Sequence, residues 1–253
     1  MDGRVVVINL DRDADRLAKF RADNAHLPQL ERFAAFDGLA VDRDACIRQG
    51  LVTHDNRYTR PALGCALSHV ALWRQCAAGC APLTICEDDA VLHPHFLAGR
   101  ARILAALPQD WDIVQWGWNL DWPMAMDLGS GMPNGIVKCP EAAPRPDLAA
   151  FRAGRLRFQA FPLRSSSGFA CYTLSVAGAA RLLARCLPLG AETPMMAEHP
   201  TTRWENSGVD VEASRHYPSM RAFVCVPPLA ISPNVHALSS IRGPRAETAA
   251  LVA

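Results

Sequence analysis

The stretch LTICEDDAVLHPHF, Leu83–Phe96, sets three consecutive carboxylates, Glu87, Asp88 and Asp89, directly behind an apolar run. Like charges in a row repel, so the placement calls for a compensating partner. One candidate is a helix N-terminus, with Asp88 or Asp89 capping a helix that has Pro94 in its first turn. Another is a hard divalent cation, Mg2+ or Mn2+, which takes oxygen ligands and joins one or two protein carboxylates to substrate phosphates. Three acids exceed what a cap requires. Alternation along a strand end sends Glu87 and Asp89 to one side and Asp88 to the other. Asp89 and Glu87 are therefore expected at the metal, and Asp88 is expected to turn toward supporting groups.

The other reactive side chains point less sharply. Nine cysteines are scattered, and Cys65, Cys86, Cys171 and Cys225 lie in apolar surroundings, where a small buried thiol is the expected state. A zinc set of Cys76, Cys80, His93 and His95 can be written down, but its spacing matches no common structural zinc pattern. No Gly-rich phosphate loop of the Walker or dinucleotide kind occurs, which argues against a P-loop nucleotidase and a Rossmann dehydrogenase. Phosphate binding is then left to a metal, in an enzyme whose cation bridges a diphosphate leaving group.

The elements that must position these residues follow from patterning. RVVVINL reads as a buried first strand, and Asp13 can cap the helix that follows it, with Leu17 and Phe20 facing inward. LERFAAFDG reads as a second short strand, and Val41 to Arg60 as a connection with room for a short helix. ALGCALSHVALWRQCAAG carries a helical apolar stripe stopped at Gly79, and APLTIC is a strand. A helix from Pro94 toward Pro108 and the strand WDIVQWGW come next. Asp121 to Phe161 is rich in Pro, Gly and Met and reads as long loops. GFACYTLS is a strand, Ser175 caps the helix VAGAARLLARCL, and AFVCVPPLA is the last clear strand.

Strands alternating with helices predict an α/β sheet, mostly parallel, with helices on both faces and ligands at the carboxyl ends of the strands. The chain of 253 residues is 50% hydrophobic and 20% charged, enough for one core, so a single domain over residues 1–253 is expected. With 26 Lys plus Arg against 25 Asp plus Glu, the net charge of +1 gives no support for a nucleic-acid partner. Val5 to Leu10 is too short for a signal-peptide core, and no stretch reaches the roughly 18 apolar residues of a spanning helix. The expected location is the cytoplasm. The basic, interleaved stretch RPDLAAFRAGRLRFQAF reads either as a solvated segment or as a peripheral contact at the inner face of a membrane.

The blocks VVVINLDRDADRLAKF, ERFAAFDG, LGCALSHVALWRQCAAG and LTICEDDAVL, in this order and spacing, resemble those of glycosyltransferase family 25, the lipooligosaccharide-biosynthesis galactosyltransferase type. The resemblance covers residues 4–118 and resumes more weakly from GFACYTLSVAGAARLL to SSIRG. It implies a GT-A type nucleotide-sugar-binding fold, with residues 4–118 as the nucleotide-sugar half, 119–165 as a variable loop region and 166–243 as the acceptor side. It also implies a UDP-sugar donor, most often UDP-galactose, and Mn2+ or Mg2+ at the acidic block. The expected activity is an inverting hexosyl transfer to a cell-surface glycan such as lipooligosaccharide. Two alternatives stand beside it: the same fold acting on a protein, peptide or small metabolite, and a non-catalytic nucleotide-sugar-binding module.

Residue by residue, the resemblance places Asn9 and Leu10 where such a sheet receives the nucleotide base. Arg16 is either a diphosphate partner or a solvated helix arginine. Asp37 is either a turn former or an acceptor for ribose or base. Ser68 and His69 become candidate contacts to the donor, although a histidine within an apolar helix is more often a satisfied core residue. Asp210 in SGVDVEA is the expected general base, with Asp121 and Glu205 behind it; the competing role for Asp210 is capping the short helix VEASRHY. His236 is the candidate that completes the metal shell, with Ser239, Ser240 and Arg242 able to close over the diphosphate. Trp118 and Trp122 are candidates to line an acceptor site.

Overall fold

A computed structural model describes residues 4–139, 146–155, 157–192 and 205–233. The amino-terminal third follows the expected alternation. Strand β1 (Val5–Asn9) is buried throughout, and helix α1 (Ala14–Asp23) follows it. Asp13 stands at the cap position of α1 but makes no side-chain cap bond; its carbonyl accepts from Leu17 instead. Strand β2 (Glu31–Ala34) and the short helix α2 (Arg43–Arg48) lead to α3 (Arg60–Ala77), whose cap is Thr59, accepting from the Ala62 amide. Strand β3 (Leu83–Glu87) ends on the first acid of the triplet.

Beyond the triplet the chain departs from expectation. A two-residue strand, β4 (Val91–Leu92), comes before helix α4 (Phe96–Ala106), which His95 precedes and no side chain caps. The helix therefore begins seven residues after Asp89, and neither Asp88 nor Asp89 caps it. Strand β5 (Ile113–Gly117) follows as expected. The region read as long loops instead holds β6 (Met124–Met126), β7 (Gly135–Val137), α5 (Leu148–Ala153) and β8 (Gln159–Ser165). Then come β9 (Cys171–Leu174) and α6 (Val176–Cys186), the latter capped by Ser175 through the Gly178 amide at 2.9 Å. Helix α7 (Val209–Ser214), a 3-10 turn (Tyr217–Ser219), β10 (Ala222–Val226) and β11 (Ala230–Ile231) complete the described chain.

Nine strands form one mixed sheet in the order β2-β1-β3-β9-β5-β10-β8-β6-β7. Six of them, β1, β2, β3, β5, β6 and β10, share a direction, while β7, β8 and β9 run against it. Alternate residues of the strands serve opposite faces. Val6, Ile8, Ile85, Ile113 and Tyr172 pack with Leu63, Val70 and Trp73 of α3 and Leu182 of α6. Val5, Val7, Val114 and Trp116 pack on the other face with Phe20 of α1 and with Phe96 and Ile103 of α4. Both faces are thus covered by helices, as the α/β reading requires, and each large side chain buried there contributes about 1.5–3 kcal/mol. Among the described residues no helix is long and apolar enough to cross a membrane.

Candidate functional site

Parallel register brings the carboxyl ends of β1 and β3 together, with Ile8 opposite Glu87. The antiparallel β9 starts at the same edge, pairing Cys171 with both Cys86 and Gly117. Asn9, Leu10, the acidic turn, the chain after β5 and the loop before β9 therefore share one rim of the sheet. This is the edge where ligands bind in open α/β sheets.

Asp88 points toward the first strand and helix. Its Oδ2 accepts from Asn9 Nδ2 at 2.8 Å, and its Oδ1 accepts from Arg16 Nε at 2.9 Å and from a second guanidinium nitrogen of Arg16. The Arg16 pKa is raised above its ordinary value, first by this hydrogen bond. Asn9 is itself enclosed: its Nδ2 also reaches the Asp13 carbonyl, and its Oδ1 accepts from Arg32 at 3.1 Å. The carbonyl of Leu10 accepts from the Asp13 amide and tightens the turn after β1. Asp88 is thus held by positively polarised groups of β1 and α1.

Asp89 is in a different environment. The pairing of β4 with β11, Val91 against Ile231, carries Ser232 to it, and Ser232 Oγ donates to Asp89 Oδ2 at 2.8 Å. The other oxygen, Oδ1, is cut off from solvent with no hydrogen-bond partner. Burial, and then repulsion from Glu87, push the Asp89 carboxyl up to about 6 against an ordinary 3.8. A divalent cation fits this pair: it would supply the missing partner and relieve the repulsion. Asp89 and Glu87 are the residues that would hold it. His236, Ser239, Ser240 and Arg242 lie outside the described residues.

Glu87, close enough to Asp89 to repel it, also borders α3. Its Oε1 stands 3.6 Å from Nε2 of His69, a residue with no exposed surface. The Nδ1 of His69 meets the Tyr172 hydroxyl at 2.7 Å, and that hydroxyl also accepts from Trp73 Nε1 at 2.9 Å. Ser68 is equally enclosed and spends its hydroxyl inside the fold, donating to the Gly64 carbonyl and accepting from the Phe36 amide. That bond ties α3 to the chain leaving β2. Gly64 makes the tie possible, because a Cβ there would stand 2.4 Å from the Gly38 nitrogen and 2.5 Å from the Phe36 oxygen.

Asp37 forms a turn through the Leu39 amide at 3.0 Å and pairs with Arg12. With the exposed ring of Phe36 it borders a cleft of about 530 Å3 between the β2–α2 connection and α3, closed at its far wall by Leu67, Val70 and Arg74. Asp210, in the first turn of α7, caps nothing. Its Oδ2 accepts from Ser167 Oγ at 3.0 Å and from the Gly168 amide at 2.6 Å, which fixes the loop entering β9. Asp121 lies half-buried on the chain after β5, one residue before Trp122, which packs on Val211 beside Asp210. Glu205 is exposed, and Trp118 is buried.

Cys65, whose sequence context reads as that of a small buried thiol, joins these groups and is only partly buried. The Cys65 thiol is pushed well above its ordinary value by burial, then by Glu87, Asp210, Asp88 and Asp89. The acidic turn and Asp210 thus act on one space. The i, i+4 spacing of Cys65 and His69 in GCALSH was the available signal, since it puts both on one helix face. All nine cysteines are free thiols. The four residues of the zinc set that the spacing disfavoured do not form a group: Cys76 is buried on α3 with its thiol on the Leu174 carbonyl, and Cys80 is exposed.

Comparison with known proteins finds likenesses of three kinds. Residues 3–124 match glycosyltransferase family 25, described as LPS biosynthesis protein. Over 112 residues the chain is 30% identical to the "Putative glycosyltransferase R655" of Acanthamoeba polyphaga mimivirus, a stretch that is 41% of this chain and 34% of that protein. The match thus spans about a third of that relative's length. A crystal structure titled mannose-1-phosphate geranyltransferase, from Thermus thermophilus, aligns over 88% of this chain and 73% of its own, at 14% identity and a TM-score of 0.40.

Proposed function

We propose, because residues 3–124 match glycosyltransferase family 25, that this chain is a member of that family and transfers a hexose from a UDP-sugar to a hydroxyl of a cell-surface glycan. The observation that carries the reading is the Asp89–Glu87 pair: two repelling carboxylates at the ligand-binding rim, one with a buried, unpartnered oxygen. Mn2+ or Mg2+ bound there would neutralise the diphosphate leaving group as its bond to the sugar breaks. Galactose is the first donor sugar to test, and lipooligosaccharide the first acceptor class.

The chain's own residues take the other roles. Asp88, clamped by Asn9 and Arg16, holds the acidic turn in place. The cleft beside Asp37 and Phe36 supports a nucleoside site, with an aromatic face for stacking and a carboxylate for ribose hydroxyls. In an inverting displacement the acceptor oxygen bonds to the anomeric carbon as the carbon–diphosphate bond breaks, and the acceptor proton passes to a carboxylate. Asp210, oriented by Ser167 and Gly168 and sharing a space with the acidic turn, is the proposed base; Asp121 stands behind it.

The test is donor hydrolysis and transfer with a panel of UDP-hexoses, with and without Mn2+. Mn2+-dependent release of UDP from one donor is the expected result. Absence of both binding and turnover for every donor would overturn the reading.

A further inference from the structure

We propose that Cys65, His69 and Glu87 form a binding site for a borderline divalent cation of the zinc type, distinct from the all-oxygen position at Asp89. One donor atom from each of the three lies within 4.8 Å of the others. Side-chain rotation of Cys65 and Glu87 closes that span onto metal bonds of about 2.0–2.3 Å. The donor set is one sulfur, one imidazole nitrogen and one carboxylate oxygen, which selects zinc-like ions over Mg2+ and leaves a fourth position open.

The histidine gives the independent sign of a ligand. His69 is wholly enclosed, and its Nε2, aimed at Glu87 from 3.6 Å, has no hydrogen-bond partner. A buried ring nitrogen without a partner is costly. Its other nitrogen is engaged by the Tyr172 hydroxyl, which Trp73 holds in turn. That chain fixes the ring as outer-shell partners fix metal-ligating histidines. Cys65 and Glu87 are only partly buried, so both side chains have room to turn toward the enclosed imidazole.

The second group of similar composition, Cys186, Glu212 and His216, lacks this readiness. Glu212 is spent on Asn206 at 2.6 Å and on the Arg215 guanidinium, a cation where the ion would sit.

Occupancy of the Cys65 site draws on Glu87, one of the two carboxylates assigned above to the hard cation. Zinc is therefore a competitor of Mn2+, a consequence that rests on the transferase reading, whereas the site itself does not.

The metal-free full chain, reduced, is titrated with Co2+ in the absence of donor. The expected result is a near-ultraviolet thiolate-to-cobalt absorption saturating at one equivalent and erased by Zn2+. Cys65→Ala should abolish that absorption and weaken Zn2+ binding about tenfold or more, and Tyr172→Phe should keep the absorption but weaken binding by about 10–100-fold. Circular dichroism checks the fold of each, and Cys65→Ser replaces the alanine variant should it unfold. Absorption that is missing in the parent protein, or unchanged in both Cys65 variants, overturns the proposal. Binding of Mn2+ with UDP, measured separately, reports on the transferase reading and is expected to survive Cys65→Ala.

Discussion

Arg16 and Asp88, seventy-two positions apart, form a closed ion pair in which two guanidinium nitrogens converge on one carboxylate oxygen while Asn9 holds the other. The pair staples α1 to the acidic turn. Arg16→Ala should cost about 1–3 kcal/mol, less than the loss of a fully buried pair because the arginine is about a third exposed. Urea unfolding measures it, and an unchanged midpoint would show that the staple contributes nothing.

Asp89 makes stability depend on pH in the direction opposite to a salt-bridged acid. Its folded pKa, about 6, lies above the ordinary 3.8, so the folded state holds the proton more tightly and loses stability as pH rises between those values. Above pH 6 the full cost is present in the metal-free protein. Asp89→Asn should therefore raise the unfolding free energy at about pH 7.5, followed by thermal unfolding, by on the order of 1–3 kcal/mol, and lose that advantage near about pH 4. Equal effects at both pH values would remove Asp89 as the source.

Gly64→Ala tests the contact between α3 and the chain after β2. The added carbon meets backbone on the Gly38 and Phe36 side, which cannot rotate away. A loss of about 1–3 kcal/mol is expected, read by chemical denaturation. Weaker UDP binding should accompany it, since the same contact walls the cleft at Asp37.

Asp210→Asn keeps the acceptor oxygen that meets Ser167 and the Gly168 amide but removes the proposed base. Turnover should fall about 10²–10⁴-fold with donor affinity little changed. Retention of full turnover would transfer the role to Asp121.

Much of the framework was legible because single helices and strands carry their own periodicity. The all-buried run of β1, the stripe of α3 and the Ser175 cap of α6 could be read locally. Strands β6 and β7 could not. Each spans three residues among Gly and Pro, and each exists only because β8 provides a distant edge for β6. The acidic triplet was located by its residues alone, but the direction of each carboxylate depends on non-local partners. Ser232 reaches Asp89 through the β4–β11 pair, and Asn9 reaches Asp88 from another strand. Cys65 reads as a plain buried thiol for a similar reason: its neighbours on α3 suggest core, and only the fold sets Glu87 across from it.

The position of β9 bears on how the protein can be divided. Strands β3 and β5 both lie within residues 3–124, yet they do not touch in the sheet, because β9 from residues 171–174 fills the gap between them. A fragment ending at residue 124 would carry two raw strand edges where the intact protein has a continuous ladder. The segment that bears the family's sequence blocks is therefore not an excisable module. During synthesis the rim holding Glu87 remains unfinished until some eighty further residues have left the ribosome, and a truncated product would be a sticky edge rather than a self-sufficient half.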